Sequence, residues 1–276
     1  MSSGLLVSEG GRSVRLGGAL VSSLVVAAAL AVAVQPARAA DVTVGLGAAL
    51  APDYEGSDDY TAAPNWLLNV TDLYDPNTFV RLGGPELRSN FVPHPQLRAG
   101  LWGKYVPERD DVDNDRVDDL DNTDLSVLVG ATVGWDLFPQ PGLTLAPTLD
   151  AGFDVANGNG YLISPRLSYF NALPESKFSV GAELFTTYAD DDYMQEYFGI
   201  GRRASARSGL DTYDADEGFK DFGFGVTTTY SFTDHWSTTL AAQYKRMLGD
   251  AEDSPIVSDE GNENQFLAAF TVNYKF

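Results

Sequence analysis

The segment NQFLAAFTVNYKF, residues 264–276, decides the fold. Every second side chain in it is apolar or small, and the residues between are mostly polar. The alternate positions are Phe266, Ala268, Phe270, Val272 and Tyr274. A period of two predicts a β-strand with one apolar face. A soluble β-sandwich contains such strands as well, so the rest of the chain must tell whether this face meets a core or a lipid.

The same alternation recurs through most of the chain. It is clearest in LTLAPTLDAGFDV (143–155), KFSVGAELFTTY (177–188) and DFGFGVTTTYSF (221–232). The second face of these segments holds mainly Gly, Ser, Thr and scattered charges, which is typical of the lumen of a membrane barrel. After residue 40 no apolar stretch approaches the roughly 20 residues of a membrane helix. A membrane-spanning structure would therefore be a closed β-barrel.

The N-terminal segment has the pattern of a secretory signal peptide. Arg12 and Arg15 precede an apolar run over 16–34, and ARAA at 37–40 supplies small residues for cleavage. The alternative is a single membrane anchor, since the run is long. We expect residues 1–39 to be a cleaved signal peptide and residues 40–276 to be one outer-membrane β-barrel domain of a Gram-negative cell.

Charge and cysteine content exclude two further classes. The formal net charge is −21, and it becomes −23 when residues 1–39, with three Arg and one Glu, are removed. So acidic a chain is not expected to bind nucleic acid, whose phosphates require Lys and Arg. The chain has no Cys, so an exported fold must hold together without disulfides.

Connection lengths alternate along the chain. Short turns occur at 139–142, 171–177 and 231–236, and long polar loops at about 107–122, 189–218 and 248–263. Short periplasmic turns and long outer loops are typical of outer-membrane barrels. Strands are predicted near 41–51, 60–70, 78–83, 86–92, 96–106, 123–137, 143–155, 160–170, 177–188, 219–231, 236–247 and 264–276. The prediction is an all-β, transmembrane, antiparallel up-and-down barrel of about 12 strands. Ten strands are the alternative, because Gly83, Gly84 and Pro85 interrupt one hairpin.

Aromatic residues near the predicted strand ends fit interfacial girdles. They are Trp135, Tyr169, Tyr188, Tyr230, Trp236 and Tyr274. The last strand ends in Phe276, which resembles the C-terminal signal that the barrel-assembly machinery recognises in this class of proteins.

Catalytic and metal sites are not expected. The two histidines, His94 and His235, both fall at predicted periplasmic turns, which disfavours a Ser–His phospholipase. Asp111, Asp113 and Asp115 have the spacing of an EF-hand start, but Arg116 stands where Gly must turn the chain and Asn122 where Glu is required. We expect a solvated acidic loop; the alternative is a loose divalent site that bridges lipopolysaccharide. No catalytic, cofactor or metal residue is predicted, and the binding residues are unknown.

Charges of both signs are predicted inside the barrel. They are Arg98, Lys104, Arg166, Lys245 and Lys275 with Asp136, Asp150, Asp154 and Glu183. They can form a cross-strand ladder that fills the lumen, which we favour for a barrel of this width, or line a small pore. The loop 189–218 combines acids, arginines and aromatics, so we expect it to be ordered, either folded into the lumen or offering a binding face.

Several motifs in order resemble one family. They are GLGAALAPDYEGSDDYTAAPNWLL (45–68), ADDDYMQEYFGI (189–200), SGLDTYDADEGF (208–219), YKRMLGDAEDSPIV (244–257) and the final strand. Over residues 44–276 the chain resembles the MltA-interacting protein (MipA)/OmpV family of outer-membrane proteins. The resemblance implies a non-enzymatic Gram-negative barrel that acts as a scaffold between a murein lytic transglycosylase and a murein synthase. It assigns no active-site residues.

The predicted function is therefore that of an envelope interaction protein, with murein hydrolase and synthase as partners. The alternatives are a small-solute channel through the lumen and a surface adhesin that uses the long acidic loops. Further expected partners are outer-membrane lipid, lipopolysaccharide and the barrel-assembly machinery. No cofactor is expected.

Overall fold

The structure, a computed structural model, describes residues 40–140, 142–173 and 175–276. The predicted signal peptide, residues 1–39, lies outside the described residues. Within the described part, no helix is long and apolar enough to cross a membrane.

Twelve antiparallel strands close into a barrel in which each strand pairs with its sequence neighbours and β12 pairs with β1. The strands are β1 (Asp41–Pro52), β2 (Tyr60–Thr71), β3 (Phe79–Gly83), β4 (Glu86–Asn90), β5 (Leu97–Val106), β6 (Ser126–Trp135), β7 (Leu143–Asp154), β8 (Tyr161–Asn171), β9 (Phe178–Ala189), β10 (Gly218–Ser231), β11 (Trp236–Met247) and β12 (Asn264–Lys275). The all-β up-and-down barrel of twelve strands is confirmed. The alternative of ten strands is wrong.

The connections contain short helices that strand periodicity did not predict. They are α1 (Asp115–Asp118), α2 (Asp191–Phe198), α3 (Arg202–Ser208), α4 (Asp250–Asp253) and α5 (Pro255–Ser258). All five lie in the three longest loops. These loops are therefore folded segments and not irregular connections.

The apolar face of the strands points outward. In β10, Phe222 and Phe224 are exposed while Gly223 and Gly225 are buried. The final stripe behaves in the same way, with Phe266 56% exposed. A surface of this kind is stable only against lipid, which distinguishes the barrel from a soluble sandwich.

The two ends of the barrel differ. The turn end carries Asp41, Phe276 and five short connections, and the loop end carries the three long loops with the short β1–β2, β3–β4 and β7–β8 connections. Aromatic rings cluster at the turn end, where Trp236, Tyr274 and Phe276 form successive edge contacts. By the asymmetry of outer-membrane barrels, we assign the turn end to the periplasm and the loop end to the cell exterior.

The hairpin of β3 and β4 is shorter than the other hairpins of the barrel. Residues 60–65 of β2 pair only with β1, because β3 begins its pairing with β2 at Leu67. The carbonyl of Trp66 accepts a hydrogen bond from Gly84 at the hairpin turn, so by alternation Pro64 also faces the unpaired side. Proline has no N–H to leave unsatisfied at such an edge.

Glycines allow the barrel to bend sharply at β1 and β6. A Cβ atom on Gly47 would lie 1.8 Å from the carbonyl oxygen of Phe270, and one on Gly130 would lie 1.8 Å from that of Ala151. At these two strands the flanking strands approach each other, β12 near β2 and β5 near β7. The bend at β6 brings the inner faces of β4 and β7 within reach of each other.

Candidate functional site

Five charged side chains from four strands meet in the middle of the lumen. They are Glu86, Arg88, Asp150, Arg166 and Glu183. The Nη2 atom of Arg88 lies 2.7 Å from Glu86 Oε1 and 2.7 Å from Asp150 Oδ2. Arg166 pairs with Glu183 on the neighbouring strand. Acids and bases alternate around this part of the wall, as the ladder hypothesis predicts.

A second ionic cluster lies nearer the loop end, around a carboxylate from the β1–β2 loop. The ammonium groups of Lys220 and Lys245 each lie 2.5 Å from Glu55 Oε1. The hydroxyl of Tyr193 donates to Glu55 Oε2 at 3.1 Å. Lys220 also lies 2.9 Å from Asp221 Oδ2. We call Glu55, Lys104, Lys220, Asp221 and Lys245 the loop-end cluster.

The electrostatics of the loop-end cluster favour an ionised carboxylate. Burial by itself would raise the pKa of Glu55, but the nearby Lys220, Lys245 and Lys104 outweigh it and hold that pKa well below its usual range. Burial, with the charge of Glu55, raises the pKa of the Tyr193 hydroxyl well above its usual value. At neutral pH the cluster therefore holds a charged carboxylate and a neutral phenol.

A β-bulge creates the unusual position of Lys220. The pairing of β10 with β9 shifts register between Phe219 and Asp221, so Lys220 has no partner opposite it. Successive side chains Lys220 and Asp221 consequently both lie buried on the lumen side. Without the bulge, alternation would send one of the two charges into lipid.

The long loops form a lid over the loop end, which we define as residues 107–125, 190–217 and 248–263. Side chains of the lid and of the barrel together form two apolar clusters. The first holds Tyr193, Met194, Tyr197, Phe198, Ala215, Ala251 and Val257 of the lid with Trp102, Val106, Leu128, Leu162, Ala189 and Met247 of the strands. The second holds Val117, Leu120, Ile200, Ala204, Leu210 and Ile256 of the lid with Tyr54 of the β1–β2 loop. Because wall residues belong to the first cluster, the lid is packed onto the barrel and not merely above it.

Helix α2 anchors the lid. The carboxylate of Asp190 caps its N-terminus by accepting from the N–H of Tyr193 at 3.3 Å. The hydroxyl of Tyr197 donates to Ser126 Oγ on β6 at 2.9 Å, and burial raises the pKa of Tyr197 to about 12. The prediction that the loop 189–218 is ordered therefore agrees with its structure.

Hydrogen bonds join the three loops of the lid. The buried guanidinium of Arg109 donates to the carbonyl of Tyr197 at 3.0 Å and to that of Asp121 at 3.3 Å. The hydroxyl of Ser254 donates to the carbonyl of Phe198 at 2.7 Å. Each loop is thus bound to another, and the lid is expected to move as a unit.

Two of the charges predicted for the lumen lie elsewhere or act differently. Lys275 pairs with Asp41 at 2.6 Å on the exposed rim of the turn end, because it is the last residue of β12. Asp154 is buried but belongs to no ion pair of the ladder; its carboxylate accepts three backbone N–H groups of the β7–β8 turn and that of Val127 on β6. Arg98 and Asp136 do pair, at 2.8 Å near the turn end.

Asp111, Asp113 and Asp115 are not among the described acids that lie close enough together to hold one ion. Asp115 begins α1 behind the cap residue Asn114. Among the described residues, the one set of three acidic groups close enough to hold an ion is Asp190 to Asp192. The Asp190 carboxylate there already accepts from the N–H of Tyr161 at 2.8 Å. His94 and His235 lie in turns at the turn end, as predicted.

Sequence reasoning missed several charges that the structure brings into the lumen, among them Glu55, Glu86, Arg88, Lys220 and Asp221. Glu86 and Arg88 alternate with Leu87, and this alternation could have placed both charges in the lumen. Their strand is short, however, and the segments beside it are irregular. Glu55 lies in a turn motif, where strand alternation gives no information. Lys220 faces the lumen because of a bulge, which the period of two does not predict.

The turn end has a cavity of about 460 Å³ between the β8–β9 and β10–β11 turns. Phe170, Phe178 and Phe232 supply its apolar lining, and Lys177 and Asp234 supply charges of both signs. Its volume lies in the range of small-ligand pockets. It opens at the end of the barrel that we assign to the periplasm.

Comparison with known proteins finds a family and several relatives. The model of the family described as MltA-interacting protein MipA matches residues 44–276. YiaT of Escherichia coli (strain K12), which is named as an outer-membrane protein, is 26% identical over 247 residues, covering 87% of this chain and 93% of YiaT. The MltA-interacting protein of the same strain is 24% identical over 198 residues, covering 72% and 76%. Among solved structures, an outer-membrane channel from Pseudomonas putida F1 aligns with a TM-score of 0.35 at 14% identity, covering 88% of this chain and 100% of that one.

Proposed function

The chain belongs to the family described as MltA-interacting protein MipA and is an outer-membrane β-barrel, and from this premise we propose that it is a non-enzymatic scaffold. Its turn end would hold a murein lytic transglycosylase and a murein synthase together in the periplasm. The name of one relative, MltA-interacting protein, is consistent with such partners.

The observation that carries the proposal is the contrast between the two ends of the barrel. The lid packs onto the loop end, with Tyr193 and Phe198 fully buried. The turn end instead presents exposed aromatic rings, charges and a cavity, on turns held by the barrel itself. Such a surface is preorganised, so a partner that binds it loses little loop entropy.

We propose three other partners. The outward apolar band would contact outer-membrane lipid, with lipopolysaccharide in the leaflet at the loop end. The exposed aromatic ring of Phe276 on the last residue of the chain, whose N–H donates to the carbonyl of Val42 at 2.9 Å, is proposed to be read by the barrel-assembly machinery.

A pull-down with the purified barrel in detergent tests the scaffold. We expect the wild-type chain to recover murein enzymes from an envelope extract. Phe232→Ser with Lys177→Glu, both in the turn-end cavity, should lose them. The matched control is Asp191→Ala with Arg202→Ala on the exposed face of the lid, which should retain them. Equal recovery by both variants, or no murein enzyme with the wild type, contradicts the proposal.

A small-solute channel is the second candidate, and the lumen favours it. The side chains of Glu86 and Glu183 in the ladder remain 29% and 32% exposed, so water reaches them. The wall formed by β10 to β12 contributes mostly small residues to the lumen, among them Gly225, Thr227 and Ala241. The lid would then be a gate. Planar-bilayer recordings without discrete conductance steps, even after the lid is destabilised, would exclude this candidate; the adhesin hypothesis stays a prediction.

A further inference from the structure

We propose that the loop-end cluster is an anion-binding site of the lumen, which the carboxylate of Glu55 occupies while the lid is closed. Its ligand class is a small solute that carries a carboxylate. The inference rests on the second candidate function, because such a solute must be able to reach the lumen.

The charges of the cluster divide by the element that carries them. Lys104, Lys220 and Lys245 belong to the strands β5, β10 and β11, and so does Asp221. Glu55 belongs to the short β1–β2 loop, residues 53–59. The strand wall by itself therefore holds three cations and one anion. Glu55 is the one member that can leave without breaking the barrel.

The groups around the Glu55 carboxylate contact it as they would contact a bound carboxylate ligand. Two ammonium groups lie 2.5 Å from one of its oxygens, and a phenol donates to the other at 3.1 Å. Charge-assisted hydrogen bonds of this kind are the strong ones. The Lys220 side chain is 1% exposed, so water cannot replace the carboxylate at that position in the closed state.

Lys104 supplies an independent indication that the site is built for more negative charge. Among the described residues, its ammonium group has no carboxylate within ion-pair distance, yet it adds to the stabilisation of the Glu55 charge. A buried or half-buried cation without its own partner is costly. An entering anion larger than the tip of Glu55 would have Lys104 as a further contact.

The loop that carries Glu55 is coupled to the lid. The carbonyl of Gly56 accepts from the N–H of Asn262 at 2.8 Å, and Ser57 forms a bridge with Gly261. Gly56 has a φ of +103°, where a side chain would be strained. Since Tyr193 of α2 also donates to Glu55, displacement of the lid would withdraw both groups and leave the strand-borne lysines facing the lumen.

Chemical rescue tests the proposal. Glu55→Ala removes the CH2–COO⁻ group and leaves a space that acetate, whose heavy atoms match the deleted group, can fill. We expect amide hydrogen exchange of residues 190–217 to accelerate by about tenfold or more, the scale of one lost charge-assisted bond. Millimolar acetate should restore the slow exchange, and acetamide, the neutral isostere, should not.

Matched controls locate the effect. Glu183→Ala deletes another lumen carboxylate, but one that lies on a strand and pairs with Arg166, so acetate should leave its lid exchange unchanged. Adding Lys220→Met and Lys245→Met to Glu55→Ala should abolish the rescue. Equal effects of acetate and acetamide, or rescue without the two lysines, would overturn the proposal.

A second measurement separates this site from conduction itself. Glu55→Gln keeps the side-chain volume and, if the channel candidate is correct, should shift the reversal potential toward anion selectivity in a planar bilayer. Absence of any conductance together with acetate rescue would retain the site and exclude the channel. Conductance with unchanged selectivity and no rescue would retain the channel and exclude the site.

Discussion

Neutralising the buried Asp150 should destabilise the barrel more than neutralising an exposed Asp. Asp150 is 0% exposed on the inner face of β7 and accepts two hydrogen bonds from Arg88, at 3.0 and 2.7 Å. Asp150→Asn keeps the shape of the side chain and removes its charge. Arg88 then retains Glu86 as its one close acid.

The magnitude follows from burial. Removing one partner of a fully buried ion pair costs about 3–5 kcal/mol. Arg88 keeps 22% of its side-chain surface exposed, and asparagine can still accept one of the two hydrogen bonds, so we expect a loss of about 2–3 kcal/mol. A matched exposed pair, Asp41 with Lys275, has side chains 45% and 46% exposed. Asp41→Asn should therefore cost about 0–1 kcal/mol.

Urea unfolding of the barrel in detergent or lipid vesicles, followed by tryptophan fluorescence, measures both variants. With slopes of about 1–3 kcal/mol per molar, the midpoint for Asp150→Asn should fall by about 0.7–3 M. Adding Arg88→Met should recover part of the loss, because it removes the buried cation that has lost the Asp150 carboxylate. An Asp150→Asn loss below about 1 kcal/mol, or one equal to that of Asp41→Asn, would refute a structural ladder.

Three further predictions concern the lid and the barrel bends. Phe198→Ala should cost the lid about 3–5 kcal/mol of local stability, seen as faster hydrogen exchange of residues 190–217 with the strands unchanged; faster exchange of the whole barrel would contradict an independently packed lid. Gly130→Ala should impair folding, scored by the heat-modifiable gel shift, because its Cβ would lie 1.8 Å from a carbonyl oxygen, whereas Gly218→Ala meets nothing within 4 Å and should fold normally. The pKa of Glu55 is depressed in the fold, so the stability that its charge gives the lid should be complete above pH about 5 and decline as the pH falls below about 4.3. Lid exchange that accelerates beyond the intrinsic rate when the pH is raised from 5 to 8 would contradict this pH dependence.

Strand positions could be predicted because lipid and lumen impose a strict period of two. Phe222 and Phe224 must face outward once Gly223 and Gly225 face inward, and each strand repeats this pattern. The same alternation located Asp150, Arg166 and Glu183 in one ladder. A local pattern suffices here because the side to which a residue points depends only on its position along its own strand.

The lid could not be predicted in this way. Its helices are short, and α2 is stabilised by burial of Tyr193 and Phe198 against groups far away in the chain. Isolated helices of this length are unstable in water, so the local sequence contains little helical signal. Order in the loop could be expected from its length and composition, but its packing onto the barrel could not.

The sequence by itself determined that this chain is an outward-apolar barrel of about twelve strands, because alternation and connection length are encoded residue by residue. Only the tertiary structure decided the exact strand count and which charges meet at the loop end of the lumen. A single bulge at Lys220 and a short loop carrying Glu55 bring together charges that are 165 residues apart in sequence. Their contact depends on closure of the sheet and on docking of the lid, and a local sequence period does not predict these long-range contacts.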